Sequence, residues 1–200
     1  QKIYIFDGKG KEWEYRISRI KQKNIKITKI NKIREQLIIK PFLTLGFPLI
    51  QEKKIDFILQ KATELGVANF IPYYSSRSRG SSPAAPTKIN RWQKIIIEAC
   101  RQSERLWLPK INQPLALNQL IKNDFNLKLV ALPGKTGKIK INNKNFKNIL
   151  GIVGPEGGFT DEEITACLKN NFKVIKLSSN ILRTETAAIF LTGLIKYLTK

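Results

Sequence analysis

With 200 residues, the chain is long enough for one substantial domain or a small one followed by a larger one, and at 42% hydrophobic it has the material for a core. Thirty-six Lys and Arg against fifteen Asp and Glu leave a formal charge of +21, a field that attracts polyanions, nucleic acid first among them, although the sequence is also rich in Lys, Ile and Asn throughout. Histidine is absent, which excludes Ser-His-Asp and Cys-His catalysis and most zinc sites, and no apolar run approaches the roughly 18–20 residues of a membrane span.

Taken in chain order, Lys2–Phe6 alternates, Asp7-Gly8-Lys9-Gly10 reads as a hairpin turn, and Glu12–Ile20 alternates again. Ile25–Ile30 has strict period two. So short a meander buries little by itself, and residues 1–45 read as part of a small β-domain whose beginning is missing. The absence of methionine likewise predicts residues before Gln1. A strand over Leu37–Leu45 and a break at Gly46 and Pro48 lead into a helix over Glu52–Leu65. In that helix Ile55, Ile58, Leu59, Ala62 and Leu65 share a face, and Gly66 supplies the stop. Val67–Pro72 reads as a buried strand, and Ser75–Thr87, rich in Ser, Gly, Pro and Arg, as an exposed, mobile loop.

A second helix spans about Ile89 to Leu106, with Trp92, Ile96, Ala99 and Cys100 on its apolar side. At about 100° per residue, Glu98, Gln102 and Arg105 fall within roughly 40° of Arg91 on a polar stripe. Such a stripe is either a solvated face or a platform for polyanions. A short helix over Leu117–Lys122 precedes strands Leu127–Leu132 and Ile149–Val153, which flank a basic loop. Thr160 then caps a helix with Glu163 closing a capping box, Phe172–Leu177 is a further strand, and Glu185–Leu198 closes the chain as an amphipathic helix. Strands alternating with helices predict an α/β domain over residues 50–200 with a mainly parallel sheet. Cys100 and Cys167 are isolated thiols in helical segments, suited to packing and to a reducing compartment. A cytoplasmic protein without membrane or metal is expected.

Two loops follow strands at the end of the sheet where open α/β folds place ligands. Gly154-Pro155-Glu156-Gly157-Gly158-Phe159 has three glycines in five residues, so its backbone can approach a ligand closely. It lacks both the P-loop and the dinucleotide-binding spacing, and the acidic turn after it disfavours a bare phosphate. Leu177–Ala187 places Arg183 and Glu185 two residues apart at the start of a helix. An N-cap with an exposed ion pair is the plainer reading of that second loop.

Together, Gly154–Phe159 and Ile181-Leu182-Arg183-Thr184-Glu185-Thr186-Ala187 resemble the SPOUT-class RNA methyltransferases, nearest to the family that methylates N3 of a uridine in bacterial 16S rRNA. Lys61–Val67, Ser76-Arg77, Arg91-Trp92 and Glu98–Arg105 extend the resemblance, which covers roughly residues 50–200. The chain has Ser178 and Asn180 where that family tends to have Gly and Arg. The resemblance implies a deep C-terminal trefoil knot, a PUA-like domain at the start, a homodimer and S-adenosyl-L-methionine as methyl donor. By the same resemblance, Leu132, Gly154, Pro155, Glu156, Gly157, Gly158, Ile175 or Leu177, Ile181, Leu182, Thr186 and Ala187 would hold the donor. Arg183 would stabilise charge on the base, and Glu185 is a candidate base. Either Glu156 or Glu185 could face the sulfonium. Arg77, Arg91, Gln102 and Arg105 would contact 16S rRNA in the small subunit. The alternatives are a non-catalytic RNA- or ribosome-binding protein on the same fold, or a SPOUT methyltransferase acting on another RNA.

Overall fold

In the computed structural model, which describes residues 1–22, 24–38, 40–78, 88–134 and 146–199, the chain opens on a hairpin organised by Asp7. Its carboxylate accepts from the backbone N–H of Lys9 at 2.7 Å and of Lys11 at 3.0 Å, closing the turn between β1 (Lys2–Phe6) and β2 (Lys11–Lys21). With β3 (Asn24–Glu35) they form a three-stranded antiparallel sheet in the order β1-β2-β3. The period-two run at Ile25–Ile30 is indeed strand. Its isoleucines stand at the surface, with Ile25 59% exposed, because among the described residues no layer packs over that face.

The next strand, β4, runs Phe42–Pro48 rather than Leu37–Leu45. Gly46 and Pro48, read from sequence as a break, lie inside it. A Cβ at Gly46 would stand 2.7 Å from the Ile152 methyl, so glycine is what lets β4 pass there. Helix α1 (Glu52–Glu64) follows and Gly66, at φ +94°, turns the chain into β5 (Asn69–Tyr74), which begins two residues later than the sequence suggests. Helix α2 spans Ile89–Gln102, and two short strands not foreseen in the sequence, β6 (Lys110–Ile111) and β7 (Leu115–Ala116), precede the four-residue α3 (Leu117–Leu120). Then come β8 (Leu127–Ala131), β9 (Asn148–Val153), α4 (Asp161–Lys169), β10 (Phe172–Ile175) and α5 (Thr184–Leu198). Part of the expected Ser75–Thr87 loop and most of the basic loop before Asn148 lie outside the described residues.

Strands β4 to β10 make one sheet in the order β10-β8-β9-β4-β5-β6, with β7 also on β5, and every pairing is parallel. The change of sheet therefore falls between Glu35 and Phe42. Alternate residues feed two cores. Leu43, Leu45 and Phe47 pack with Ile58, Trp92 and Leu191 on the face covered by α1, α2 and α5. Val130, Leu150 and Ile152 pack with Leu120, Phe159 and Cys167 on the face covered by α3 and α4. Cys100 and Cys167 are both buried and free.

The small sheet meets the segment after α2. Lys9 bridges Trp107, the Gly10 N–H donates to the Leu106 carbonyl at 3.1 Å, and Arg34 pairs with Glu104 at 2.9 Å. Among the described residues no helix is long and apolar enough to cross a membrane, and no group of three or more His, Cys, Asp and Glu could hold a metal ion.

Candidate active site

Because every strand of the large sheet points the same way, the segments after β4, β5, β8, β9 and β10 emerge at one edge. Both loops singled out in the sequence lie there. Leu132, just past β8, is buried, and its N–H donates to the Ile175 carbonyl at 3.1 Å, which extends the β8–β10 pairing to the edge. The loop after β9 is held in place by four separate groups. Thr184, itself 3% exposed, donates its hydroxyl to the Gly154 carbonyl at 3.0 Å. The Phe159 ring closes under Gly154, where a Cβ would stand 3.0 Å from two ring carbons. Lys54, from the first turn of α1, pairs with Glu156. Arg77, beyond β5, donates to the Gly157 carbonyl at 3.0 Å.

Helix α4 starts as its sequence requires. The Thr160 hydroxyl accepts from the Glu163 N–H at 3.2 Å, and the Glu163 carboxylate accepts from the Thr160 N–H at 2.9 Å. The same carboxylate also accepts from the Ser75 hydroxyl at 3.0 Å and the Ser76 N–H at 2.9 Å, and so fastens the segment after β5 to the start of α4. Burial alone would raise the Glu163 pKa, but these donors outweigh it and hold the carboxyl below its ordinary value. Tyr73, fully buried one strand away, donates to the Val153 carbonyl at 2.5 Å, and burial keeps its phenol protonated well above the usual range.

The donor-site residues expected from the sequence come together unevenly. Leu132, Gly154, Pro155, Gly157, Gly158, Leu177, Leu182, Thr186 and Ala187 all lie at this edge on the segments after β8, β9 and β10 or on the first turn of α5. Ile181 lies on the same loop but is 87% exposed. Glu156 is engaged by Lys54, whereas Glu185 presents a carboxylate oxygen sealed from solvent with no hydrogen-bond partner among the described residues. Arg183 is exposed and stands at the N-cap of α5. The Ser178 hydroxyl accepts from the Asn180 N–H at 3.0 Å, so these two residues build a local turn of their own.

The expected polar stripe does not hold together. Helix α2 ends at Gln102, where Ser103 folds its hydroxyl back onto the Ala99 carbonyl at 2.6 Å and Glu104 takes φ +55°. Arg105 therefore leaves the line of Arg91 and Gln102. Its guanidinium turns inward to the Thr63 carbonyl at 2.9 Å, at the C-terminal end of α1, and burial lowers its pKa. Arg91 remains exposed and pairs with Asp56 and, at 3.5 Å, with Glu52. Arg77 meets the donor loop directly, at the Gly157 carbonyl, whereas Arg91 reaches the start of α1.

Sequence reasoning gave no role to Thr184, Lys54, Ser75 or Ser76. Their partners lie between 30 and 102 positions away, and no local pattern announces them.

Residues 39–196 match the RNA methyltransferase domain family. The chain belongs to that family. It is 36% identical over 181 residues to the ribosomal RNA small subunit methyltransferase E of Mesomycoplasma hyopneumoniae, covering 89% of this chain and 79% of that protein. The protein of the same name from Rickettsia conorii is 34% identical over 196 residues, covering 94% and 77%. Among solved structures, the Neisseria gonorrhoeae ribosomal RNA small subunit methyltransferase E bound to S-adenosyl methionine superposes with a TM-score of 0.86 at 28% identity, covering 99% of this chain and 83% of that one. A Legionella pneumophila protein solved with its cofactor SAM reaches 0.92 at 28% identity, covering 98% and 83%.

Proposed function

We propose that this methyltransferase transfers the methyl group of S-adenosyl-L-methionine to N3 of a uridine in 16S ribosomal RNA, in the cytoplasm, as part of small-subunit maturation. The observation that carries the reading is the convergence of the segments after β8, β9 and β10 at one edge, locked by the Thr184–Gly154 hydrogen bond.

The residues present fit the donor. Gly158, at φ +70°, and Gly134, at φ +78°, have open space where a Cβ would stand, so backbone there can come close to a ligand. Bound S-adenosylmethionine supplies a methyl group activated by its positive sulfur. The backbone of Leu132, Gly154 to Gly158, Leu177 and Leu182, with Thr186 and Ala187, would hold the donor. Glu185 carries a buried carboxylate oxygen with no hydrogen-bond partner among the described residues, and it would serve either the positive sulfur or the uracil N3–H that must lose its proton. Glu156, held by Lys54, serves instead to position the loop. Arg183 stabilises negative charge on the uracil as the proton leaves. Most of the rate comes from holding two reactants in line, which needs neither histidine nor metal.

The fold fits the wider reading. β10 lies at the far edge of the sheet beyond β8, yet α5, which follows it, packs on β4, β9 and α1. The connecting segment, tied to the Gly154 carbonyl through Thr184, is where the trefoil knot would thread. The β1–β3 sheet is the PUA-like part, carrying exposed Lys26, Lys29 and Lys32 toward RNA. Exposed Ile181, Phe190 and Tyr197 on the donor loop and α5 are covered in a homodimer. Arg77, Arg91 and Gln102 supply RNA contacts, whereas the guanidinium of Arg105 is turned inward to the Thr63 carbonyl.

Calorimetric titration with S-adenosylmethionine, followed by methyl transfer into 16S rRNA, tests this. Saturable donor binding is expected, lost when Gly157 is replaced by a bulky residue, and Arg183→Ala should methylate poorly while remaining folded. A folded chain that binds no donor would instead be an RNA-binding relative that has given up the reaction.

A further inference from the structure

We propose that Arg77 is a positioning residue through which bound RNA sets the donor loop. This inference rests on the methyltransferase reading above and adds to it a coupling between the two substrates.

Arg77 was expected from sequence to serve RNA alone. In the structure one guanidinium N–H is spent on the Gly157 carbonyl at 3.0 Å, in the middle of the donor loop. The contact is also a packing contact. A Cβ at Gly157 would stand 3.2 Å from the Arg77 Cβ and 3.5 Å from its Cδ, so the loop is glycine where the arginine stem crosses it. Nor is Arg77 a loose surface side chain that happens to point this way. The two residues before it are fastened to α4 by Glu163, so its backbone is placed by contacts independent of its own charge.

A guanidinium has five N–H donors in a planar fork, and it suits a phosphate on one side while holding a carbonyl on the other. Arg77 is exposed, in a chain of net charge +21. A nucleic-acid phosphate received there orders the guanidinium, and the guanidinium in turn orders Gly157 and the loop around the donor. Thermodynamic linkage makes the effect reciprocal: RNA tightens donor binding by the same factor by which donor tightens RNA binding.

The test is a pair of titrations with S-adenosylhomocysteine, which binds without turnover, in the absence and presence of a saturating 16S rRNA transcript. Wild type should bind the nucleoside about fivefold or more tightly with RNA present, within the usual range of such couplings. Arg77→Ala and Arg77→Lys should both bring that factor close to one, since the ammonium of lysine keeps the charge but not the fork. Lys110→Ala, which removes an equal charge from β6 at the end of the sheet opposite the donor loop, should keep the wild-type factor. A wild-type factor of one, or Arg77 variants that retain the coupling, would overturn the proposal while leaving donor binding and methylation standing. So would loss of coupling in Lys110→Ala, since general electrostatics would then account for it. Wild type that binds no nucleoside in either titration overturns the methyltransferase reading and the coupling with it.

Discussion

The Thr184 hydroxyl donates to the Gly154 carbonyl at 3.0 Å, joining the first residue of α5 to the loop after β9 across 30 positions of chain. Thr184 is withdrawn from water, to 3% exposure, and Gly154 is half-buried. Replacing Thr184 by valine keeps the shape and leaves the carbonyl without its donor. A cost of about 1–2 kcal/mol in stability is expected. Donor affinity should fall several-fold, because the loop that cradles the donor loses its tie to α5, and Thr184→Ser should restore most of both. Thermal melts and donor titrations of the two variants check this. If Thr184→Val binds donor as wild type does, the bond is only a fold contact.

Gly154 itself has no room to grow. Its added Cβ would meet two carbons of the Phe159 ring at 3.0 Å, and Phe159 is part of the buried core between the sheet and α4. Gly154→Ala is expected to cost roughly 1–3 kcal/mol, the usual penalty of overpacking. Shortening the ring by Phe159→Leu in the same chain should return part of that loss. A double-mutant cycle measures the coupling, and strict additivity would show that the ring is not what Gly154 accommodates.

How much of this was legible in advance follows from the range of each contact. The Thr160–Glu163 capping box lies within four residues and was readable from its spacing. The reach of the same Glu163 to Ser75, 88 positions away, was not. The polar stripe of α2 was misread because its periodicity continues through Arg105 on paper. In the molecule Ser103 and the positive φ of Glu104 end the helix first. Strand β4 was misplaced because Gly46 and Pro48 look like punctuation, whereas Gly46 is demanded by Ile152 and Leu120 on the neighbouring elements. Local chemistry could be read along the chain, while the groups that assemble the site depend on which strands become neighbours.

Glu163 links stability to pH. Its folded pKa lies below the ordinary 4.5, so the stability it contributes is fully present above that value and is lost as pH falls through the lower, folded one. Glu163→Gln should melt lower than wild type at neutral pH. The gap between the two should hold down to about pH 5 and close in more acid solution. Melting curves across that range decide the matter, and a gap independent of pH would mean the carboxylate charge is not what holds Ser75 and Ser76.

The two thiols should be silent in the native protein. Burial pushes the Cys167 pKa up to about 12 and raises that of Cys100 as well. Since the thiolate is the reacting form, alkylation by iodoacetamide near pH 8 is expected to label neither until the chain is unfolded. Rapid labelling of folded protein would show that α2 or α4 opens locally.

Arg105 carries two readings that separate on different axes. Its guanidinium satisfies the Thr63 carbonyl at the end of α1, where the helix dipole favours a cation. Arg105→Ala should therefore cost about 1–3 kcal/mol in stability, since it leaves a carbonyl unpaired in a partly buried place. Arg91, exposed and paired with Glu52 and Asp56, should cost no more than about 0.5 kcal/mol when replaced by alanine. RNA binding measured against salt supplies the second axis. An arginine that contacts phosphate contributes close to one unit to the slope of log affinity against log salt, and its removal should shrink the slope by about that much. Arg91→Ala is expected to lower the slope with little change in melting temperature. If Arg105→Ala lowers the melting temperature and leaves the slope intact, its work is to close α1. If the slope shrinks too, the cation at the helix end also meets a phosphate.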